Sequence, residues 1–363
     1  MPNQIPKMQT ATAVAHPNIA LAKYWGKLDE GHNLPAVPSL SVTLAGMSTI
    51  TTVAFDPSLG EDEFELGGTS IRDGAPANDP TAAILPAGAG ALRRVSGLLD
   101  RVRASAGVSH RARVTSRNDF PTASGLASSA SAFAALAVAA AAALGLDWSP
   151  EQLSDLARRT SVSSARSIFE GFVELPSGRP SADAAALLTA APVAPPDHLP
   201  LRIIVAVTRE GPKATGSTQG MLHTTRTSPY FPAWVADAPA LFAKLKDALL
   251  RRDLEALGTL AEASALRMHA AAIAADPGLI YWTAATVLVM EEVRALRARG
   301  TPAFFTIDAG PHVKVLTTAD HEASVTQMLE QIPGVRRTIA TRPGEGARVV
   351  PSPDAASTLN KIP

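Results

Sequence analysis

The sequence contains no cysteine in its 363 residues. This absence excludes disulfide bonds, thiolate-ligated zinc sites and cysteine nucleophiles. The chain also lacks a charge imbalance, because 33 lysines and arginines stand against 33 aspartates and glutamates. A balanced chain has no overall field that attracts nucleic acid or an anionic membrane surface. We therefore expect no nucleic-acid partner, and local groups must hold any anionic ligand.

Long apolar segments are missing as well. The most apolar stretch, Ala132 to Leu146, is mostly alanine, and it is shorter than the roughly 18 residues of a membrane-spanning helix. It predicts a buried helix instead. The segment from Met1 to Asn18 has no charged start followed by an apolar run, which a secretion signal requires. These features predict no membrane association and a cytoplasmic location.

The composition that remains is 46% hydrophobic and 18% charged, which is typical of a globular protein with a large core. Helical and strand patterns alternate without strict β-α-β order, so we expect the α+β class. The predicted strands are 11–15, 40–44, 48–55, 112–116, 172–175, 201–207, 303–307 and 313–316, with two weak strands at the end of the chain. The predicted helices are 83–103, 126–144, 149–159, 233–251, 253–275, 281–299 and 322–331.

Two segments are predicted to lack regular structure. A Gly/Asp-rich turn region is expected around Gly60 and Gly67. The stretch 191–200 contains four prolines and is the predicted linker. It divides the chain into two predicted domains, 1–195 and 196–363.

Neither GxxxxGK[ST] nor GxGxxG occurs, so the sequence predicts neither a P-loop nor a Rossmann site. The predicted helix 126–144 is instead preceded by a loop of small residues that begins at Pro121. The free N–H groups and the dipole of a helix N-terminus attract phosphate. The hydroxyls of Ser128 and Ser129 are suited to phosphate oxygens or a magnesium ion. A capped, buried helix without a ligand is the alternative interpretation.

Three further clusters carry groups suited to anions. Lys23 and Lys27 stand beside Tyr24, and compact ammonium groups suit phosphate; a surface lysine pair is the alternative. Arg166 follows several serines and offers a planar donor fork for phosphate or carboxylate, although such serines also cap ordinary loops. Asp308 begins an Asp-Ala-Gly-Pro sequence that predicts a tight turn after a strand.

These segments resemble the GHMP kinase superfamily and, within it, the mevalonate diphosphate decarboxylase family. The resemblance runs from about residue 10 to residue 320 and rests on four motifs in the family's order. The matching segments are 17–27, which continues into 34–44; 119–130, which fits Pro-x-x-x-Gly-Leu-x-Ser-Ser-Ala; Ser161, Ser163 and Arg166; and 304–311. The segment 216–221 is similar to the family's second-lobe helix.

The resemblance implies a fold and a set of site residues. The expected fold is a two-lobed, GHMP-kinase-like α+β fold, whose first lobe is like the second domain of a small-subunit ribosomal protein and whose second lobe is ferredoxin-like. The implied catalytic residues are Asp308, Lys23 and Arg166. The implied substrate-binding residues are Asn18, Tyr24, Lys27, Ser161, Ser163, Arg166 and Ser217. The ATP phosphates are expected at Ser124, Gly125, Leu126, Ala127, Ser128 and Ser129, with magnesium at Ser128 or Ser129.

The resemblance further implies an ATP- and magnesium-dependent decarboxylation of mevalonate 5-diphosphate to isopentenyl diphosphate, by a homodimer. Three alternatives stay open: a mevalonate 5-phosphate decarboxylase, a mevalonate 3-kinase, and a non-catalytic ligand-binding relative. Pro38, Glu170 and His312 depart from the family pattern. Glu170 replaces a glycine, so it either alters the substrate preference or turns its side chain to solvent.

Overall fold

The computed structural model describes residues 10–71, 90–120, 128–178, 186–211 and 214–351. Within these residues the strands are β1 Thr10–Ala15, β2 Asn18–Ala22, β3 Lys27–Asp29, β4 Leu34–Pro35, β5 Ser39–Thr43, β6 Thr49–Asp56, β7 Glu63–Leu66, β8 Thr69–Ile71, β9 Arg111–Asn118, β10 Phe172–Leu175, β11 Ala191–Ala194, β12 Leu201–Val207, β13 Phe304–Ile307, β14 Val313–Thr318, β15 Arg337–Thr341 and β16 Arg348–Val350.

The helices of the described residues are α1 Ala91–Ala106, α2 Ser128–Ala143, α3 Pro150–Thr160, α4 Ser217–Thr227, α5 Phe231–Leu250, α6 Leu254–Ile273, α7 Ala284–Ala298 and α8 Glu322–Gln331. Two short 3-10 helices, Val162–Ile168 and Ala319–His321, complete the elements. None of the described helices is both long enough and apolar enough to cross a membrane.

The first lobe is built on a six-stranded sheet in the order β16-β1-β6-β9-β7-β8. Alternate residues of β6 are buried, as expected for a sheet with one covered face. The alanine-rich helix α2 lies in the core against β1 and β6. Its side chains are small, which allows the helix to pack closely on the sheet.

Two four-stranded sheets complete the architecture. One has the order β11-β10-β5-β2, and the other, in the second lobe, has the order β13-β14-β12-β15. A single hydrophobic core joins them, in which Ile19 and Leu40 of the first lobe pack with Leu201 and Phe304 of the second. This shared core brings the end of β2 to the end of β13.

The structure confirms the predicted α+β class. The predicted strand 172–175 and helix 322–331 coincide with β10 and α8. The predicted starts of α1 and α2, at 83 and 126, fall outside the described residues. The proposed division at 195/196 stays a prediction, and β16 near the end of the chain pairs with β1 of the first lobe.

Two sequence-based expectations differ from the structure. Part of the predicted linker forms β11, which lies at the edge of its sheet; proline is tolerated there because an edge strand has backbone groups without ladder partners. The predicted turn region contains the β7–β8 hairpin, whose turn residues Gly67 and Gly68 have φ of 57° and 84°. Such positive φ values suit a two-residue hairpin turn. The strands β2, β3 and β4 were not predicted.

Two helical glycines provide a matched test of packing. A methyl group on Gly258 of α6 would lie 2.2 Å from the ring of Phe304, whereas one on Gly97 of α1 would have nothing within 4 Å. We expect Gly258→Ala to lower the free energy of unfolding by about 1–3 kcal/mol through overpacking. Gly97→Ala should raise it by about 0.5–1 kcal/mol through helix propensity. Chemical denaturation measures both, and equal effects would contradict this packing.

Candidate active site

Lys23 lies between the two lobes at the end of β2 and is 2% exposed. Its backbone N–H donates to Ser264 Oγ of α6 at 2.9 Å. Its Nζ donates to the carbonyl oxygen of Ala20 at 2.8 Å and to Asp308 Oδ1 at 2.6 Å. The ammonium group therefore points away from bulk water and toward the carboxylate of the other lobe.

Asp308 follows β13, and its backbone forms the predicted tight turn, in which the Gly310 N–H donates to the Asp308 carbonyl at 2.6 Å. The hydroxyls of Thr208 and Thr286 both donate to the carbonyl of Pro311, the last residue of the Asp-Ala-Gly-Pro sequence. These bonds fix the turn on the second-lobe sheet and α7. The Asp308 side chain is 27% exposed, although its Oδ2 atom is buried.

Lys314 of β14 forms a second ion pair with the same carboxylate, at 3.0 Å from Asp308 Oδ2. Its side chain is 2% exposed, and it lies opposite Thr306 in the β13–β14 ladder. The sequence motifs did not identify this residue. A charged side chain between Val313 and Val315, in a strand that is otherwise buried, is the signal that could have revealed it.

The two lysines set the charge of Asp308. Burial alone would raise the pKa of this carboxyl, but the charges of Lys23 and Lys314 outweigh burial and hold its pKa well below the usual range. Burial lowers the pKa of Lys23 to about 8, against the opposing effect of Asp308. Asp308 is therefore ionised at neutral pH. Of the two groups, Lys23 has the pKa closer to neutral pH.

Arg166 lies in the 3-10 helix Val162–Ile168 and is 2% exposed. It donates from Nε to Ser41 Oγ at 3.0 Å, from Nη1 to Ser39 Oγ at 2.7 Å and from Nη2 to Asn18 Oδ1 at 3.4 Å. No carboxylate of the described residues lies at ion-pair distance from it. Burial lowers its pKa to about 10, against the opposing charge of Asp308. The site therefore holds a buried guanidinium that only neutral groups contact directly.

Asn18 of β2 links Arg166 to the neighbouring serines. Its Nδ2 donates to the carbonyl of Ser163 at 2.9 Å and to Ser167 Oγ at 2.8 Å. Ser161 directly follows α3 as its C-cap residue, and its Oγ lies 3.4 Å from Ser163 Oγ. The structure thus brings together Asn18, Arg166 and both predicted serines.

Tyr24 and Lys27 extend the same region. The Tyr24 hydroxyl is buried and has no hydrogen-bond partner among the described residues. Burial raises its pKa, and the charges of Arg166 and Arg158 act in the opposite direction. Lys27 of β3 donates to Asn33 Oδ1 at 2.5 Å. A buried hydroxyl without a partner is rare and suits a ligand atom.

Arg158 of α3 holds the β3–β4 hairpin against this helix. No sequence motif pointed to this arginine. This buried arginine pairs with Asp155 at 2.7 Å. Its Nη1 donates to the carbonyls of His32 and Asn33 at 2.6 and 3.1 Å. The position of Lys27 therefore depends on a residue more than 100 positions later in the chain.

Ser217 is the first residue of α4, and its contact with a substrate stays a prediction. Gly220, one turn later, packs so closely that a methyl group on it would lie 2.2 Å from the Tyr281 hydroxyl and 3.2 Å from Trp25. The ring of Trp25 meets that of Tyr281 edge-on, with centroids 6.1 Å apart. This packing brings the first turns of α4 close to the Lys23–Tyr24 segment.

The predicted phosphate loop is only partly described. Ser124, Gly125, Leu126 and Ala127 lie outside the described residues. Ser128 and Ser129 begin α2, whose first turn carries no acidic side chain. The carbonyl of Ser129 accepts a hydrogen bond from Ser164 Oγ at 3.1 Å, which ties this end of α2 to the segment that carries Arg166. The first turn is therefore electrostatically suited to an anion.

Magnesium fits this site only as a weakly protein-bound ion. No group of three or more His, Asp or Glu side chains in the described part of the chain could hold a metal. Mg²⁺ commonly keeps water and phosphate oxygens as its main ligands. Serine hydroxyls beside a nucleotide phosphate satisfy that pattern, so Ser128 and Ser129 stay the predicted residues.

The departures from the family pattern lie in different environments. The Glu170 side chain is exposed and Pro38 is buried. His312 is 2% exposed, and its Nδ1 accepts a hydrogen bond from the Thr208 N–H at 3.2 Å. His312 thus helps to fix the turn that follows Asp308.

Comparison with known proteins gives consistent matches along the chain. A family model described as "Diphosphomevalonate decarboxylase-like N-terminal domain" matches residues 15–186, and one described as "Mevalonate 5-diphosphate decarboxylase C-terminal domain" matches residues 203–355. A solved structure of MDDEF in complex with MVAPP, AMPPCP and magnesium has 36% sequence identity and a TM-score of 0.83, with 95% of this chain and 99% of that chain covered.

Two curated relatives are about equally similar. The diphosphomevalonate decarboxylase of Ganoderma lucidum is 36% identical, over 88% of this chain and 81% of the relative. The phosphomevalonate decarboxylase of Haloferax volcanii is 35% identical, over 86% of this chain and 89% of the relative. The matches cover both lobes and all the site segments described above, and the chain therefore belongs to the diphosphomevalonate decarboxylase family.

Proposed function

We propose that this protein catalyses the ATP-dependent decarboxylation of mevalonate 5-diphosphate to isopentenyl diphosphate. The observation that carries the proposal is the ionised, partly exposed Asp308 between two buried lysines, in the same site as Arg166, which has no direct carboxylate partner among the described residues. In this arrangement Asp308 can accept a hydrogen bond from a substrate hydroxyl, and Arg166 can pair with a substrate carboxylate. Those are the two functional groups that the reaction changes.

The phosphoryl donor is ATP with Mg²⁺, which a solved relative supports by its complex with AMPPCP and magnesium. When bound, ATP supplies the phosphoryl group that turns the 3-hydroxyl into a good leaving group. Ser128, Ser129 and the N-terminus of α2, together with residues 124–127, would hold the phosphates. The positive end of the α2 dipole favours the negative charge there.

Asp308 orients the 3-hydroxyl and accepts its proton. The two lysines make this carboxylate a weak base, so it takes the proton only as the hydroxyl oxygen bonds to phosphorus and becomes acidic. Lys23 contacts Oδ1 and Lys314 contacts Oδ2 of the carboxylate. The substrate approaches the exposed part of the Asp308 side chain, which is 27% of its area.

Arg166 binds the substrate carboxylate until the 3-phosphate has formed. The bond from C3 to the phosphate oxygen then breaks, and the bond between C1 and C2 supplies its electron pair to the new double bond. Carbon dioxide and inorganic phosphate leave. The guanidinium suits this role because Ser39, Ser41 and Asn18 orient it without neutralising its charge.

The 5-diphosphate is proposed to bind at Lys27, Tyr24, Ser161 and Ser163, with Ser217 near the transferred phosphoryl group. The buried Tyr24 hydroxyl, which has no hydrogen-bond partner among the described residues, supports a ligand at this end of the site. Mevalonate 5-phosphate is the second candidate substrate, because the relative from Haloferax volcanii is a phosphomevalonate decarboxylase of nearly the same identity. We further propose a cytoplasmic homodimer, as the family resemblance implies.

The release of carbon dioxide tests the proposal directly. With MgATP, we expect stoichiometric release from mevalonate 5-diphosphate, and a kcat/KM at least about tenfold lower with the 5-phosphate, since a lost charged contact is worth about 1.5–3 kcal/mol. Free mevalonate should react more slowly still. Phosphorylation without release of carbon dioxide would favour a 3-kinase, and no substrate-dependent ATP consumption would contradict the proposal.

Asp308→Asn tests the role of the carboxylate. We expect kcat to fall by about 100- to 10,000-fold, the usual effect of losing a positioned acid–base group, while a substrate-induced rise in Tm persists. Asp320→Asn, at an exposed aspartate of the second lobe, is the control and should leave kcat unchanged. Near-normal turnover of Asp308→Asn would refute the role given to Asp308.

Lys314→Met tests the second lysine through pH dependence. Removal of its charge should raise the pKa of Asp308, so protonation would abolish activity at a higher pH than in the wild type. The acid limb of the kcat/KM profile is therefore expected to move to higher pH. Lys246→Met, which removes a partly exposed lysine paired with Glu174 at 2.7 Å, should not move it. An unchanged profile in Lys314→Met would contradict this expectation.

A further inference from the structure

Buried hydroxyls join the start of α2 to the first-lobe sheet. Thr49 is the first residue of β6, and it lies opposite Asn118, the last residue of β9, in the β6–β9 ladder. Its Oγ1 donates to Asn118 Oδ1 at 2.6 Å and lies 2.6 Å from Ser131 Oγ, in the first turns of α2. Thr49 and Ser131 are both 0% exposed, so bulk water does not compete for these hydrogen bonds.

The direction of each hydrogen bond in this network follows from the number of protons. A hydroxyl has one proton to donate. Because Thr49 donates its proton to Asn118, Ser131 must donate to Thr49. Ser131 Oγ also donates to the carbonyl of Ser128 at 3.2 Å, as the longer arm of a shared hydrogen bond. Thr49 therefore uses both its donor and its acceptor, and the network runs from the first turn of α2 to the end of β9.

The network holds the chain on both sides of the predicted phosphate loop, since residues 119–127 join β9 to α2. Asp119 adds to the attachment on the β9 side. Its carboxylate accepts from the N–H and the Oγ of Ser48, both at 2.6 Å, and its N–H donates to the Ser48 carbonyl at 3.1 Å. The chain that leaves β9 and the helix that follows the loop are thus both bonded to Ser48 and Thr49.

We propose that Thr49 positions the first turn of α2 for the phosphates of ATP. The inference rests on the proposed function, which puts those phosphates at Ser128, Ser129 and the N-terminus of α2. Hydrogen bonds from N–H groups to an anion weaken steeply when the donors are misaligned, and a turn that is already ordered loses less entropy when the ligand binds. Thr49 is fully buried and acts through Ser131, so it is a positioning residue.

Thr51 provides a matched control on the same strand. It is 1% exposed, it lies opposite Ser116 in the same ladder, and its Oγ1 is 2.9 Å from Ser116 Oγ. Both threonines therefore make a buried hydroxyl bond between β6 and β9. Within the described part of the chain, the hydroxyl of Thr51 has no hydrogen bond to α2. Valine keeps the shape of threonine and removes the hydroxyl, so Thr→Val at either position should lower the free energy of unfolding.

The test measures the Kd of MgAMPPCP, with and without mevalonate 5-diphosphate, and the KM for ATP in the carbon dioxide assay. We expect Thr49→Val to raise both constants by about 5- to 50-fold, the factor for losing one or two buried hydrogen bonds. The KM for mevalonate 5-diphosphate should not change. Ser131→Ala should also raise both constants, because it breaks the link to α2 alone, and Thr49→Ser should recover most of the affinity because it keeps the hydroxyl.

Thr51→Val should leave the Kd of MgAMPPCP unchanged. An unchanged Kd in Thr49→Val, or an equal rise in Thr51→Val, would overturn the inference. If Thr49→Val does not fold, Ser131→Ala decides, since alanine is the most favourable helix residue, and no rise in its Kd would be equally fatal. Failure of the proposed function appears instead in the wild type, as binding of MgAMPPCP without release of carbon dioxide from the substrate, and the Kd values of the variants then still decide the role of Thr49.

Discussion

Lys23 and Asp308 are 285 residues apart in sequence, yet the ammonium nitrogen of one lies 2.6 Å from a carboxylate oxygen of the other. This contact requires the shared core between the two lobes, because β2 delivers Lys23 and β13 delivers Asp308. Hydrogen bonds to the Pro311 carbonyl hold the turn that carries Asp308, and the hydrogen bond from the Lys23 N–H to Ser264 holds Lys23. The active-site geometry is therefore a consequence of how the lobes pack.

The charges around this contact do not balance. Three buried cations, Lys23, Lys314 and Arg166, surround the single carboxylate of Asp308. Buried ion pairs contribute little to net stability, because desolvation offsets their attraction. An excess of buried positive charge is unfavourable until an anion enters. A substrate with a carboxylate and phosphates supplies that anion, so the fold retains its polar site for binding and chemistry.

Sequence motifs predicted the candidate site residues that lie in contiguous, recognisable segments, such as Lys23, Arg166 and Asp308. They did not point to Lys314, Arg158 or Asn33, each of which has a contact with a residue distant in sequence or on a neighbouring strand. Asn33 matters because it joins Lys27 to the end of α3, and no local pattern reveals such a contact. The strand β11 was missed because its proline is acceptable only at a sheet edge, and edges are set by tertiary structure.

A double-mutant cycle of Lys23→Met and Asp308→Asn, followed by carbon dioxide release, tests most directly whether these residues act as one unit. Residues that act together give strongly non-additive losses of kcat/KM. We predict that the second substitution lowers kcat/KM by less than about threefold once the first is present, although each alone lowers it by about 100-fold or more. Losses that simply multiply would show that Lys23 and Asp308 act independently, which would contradict the coupling on which the proposed chemistry depends.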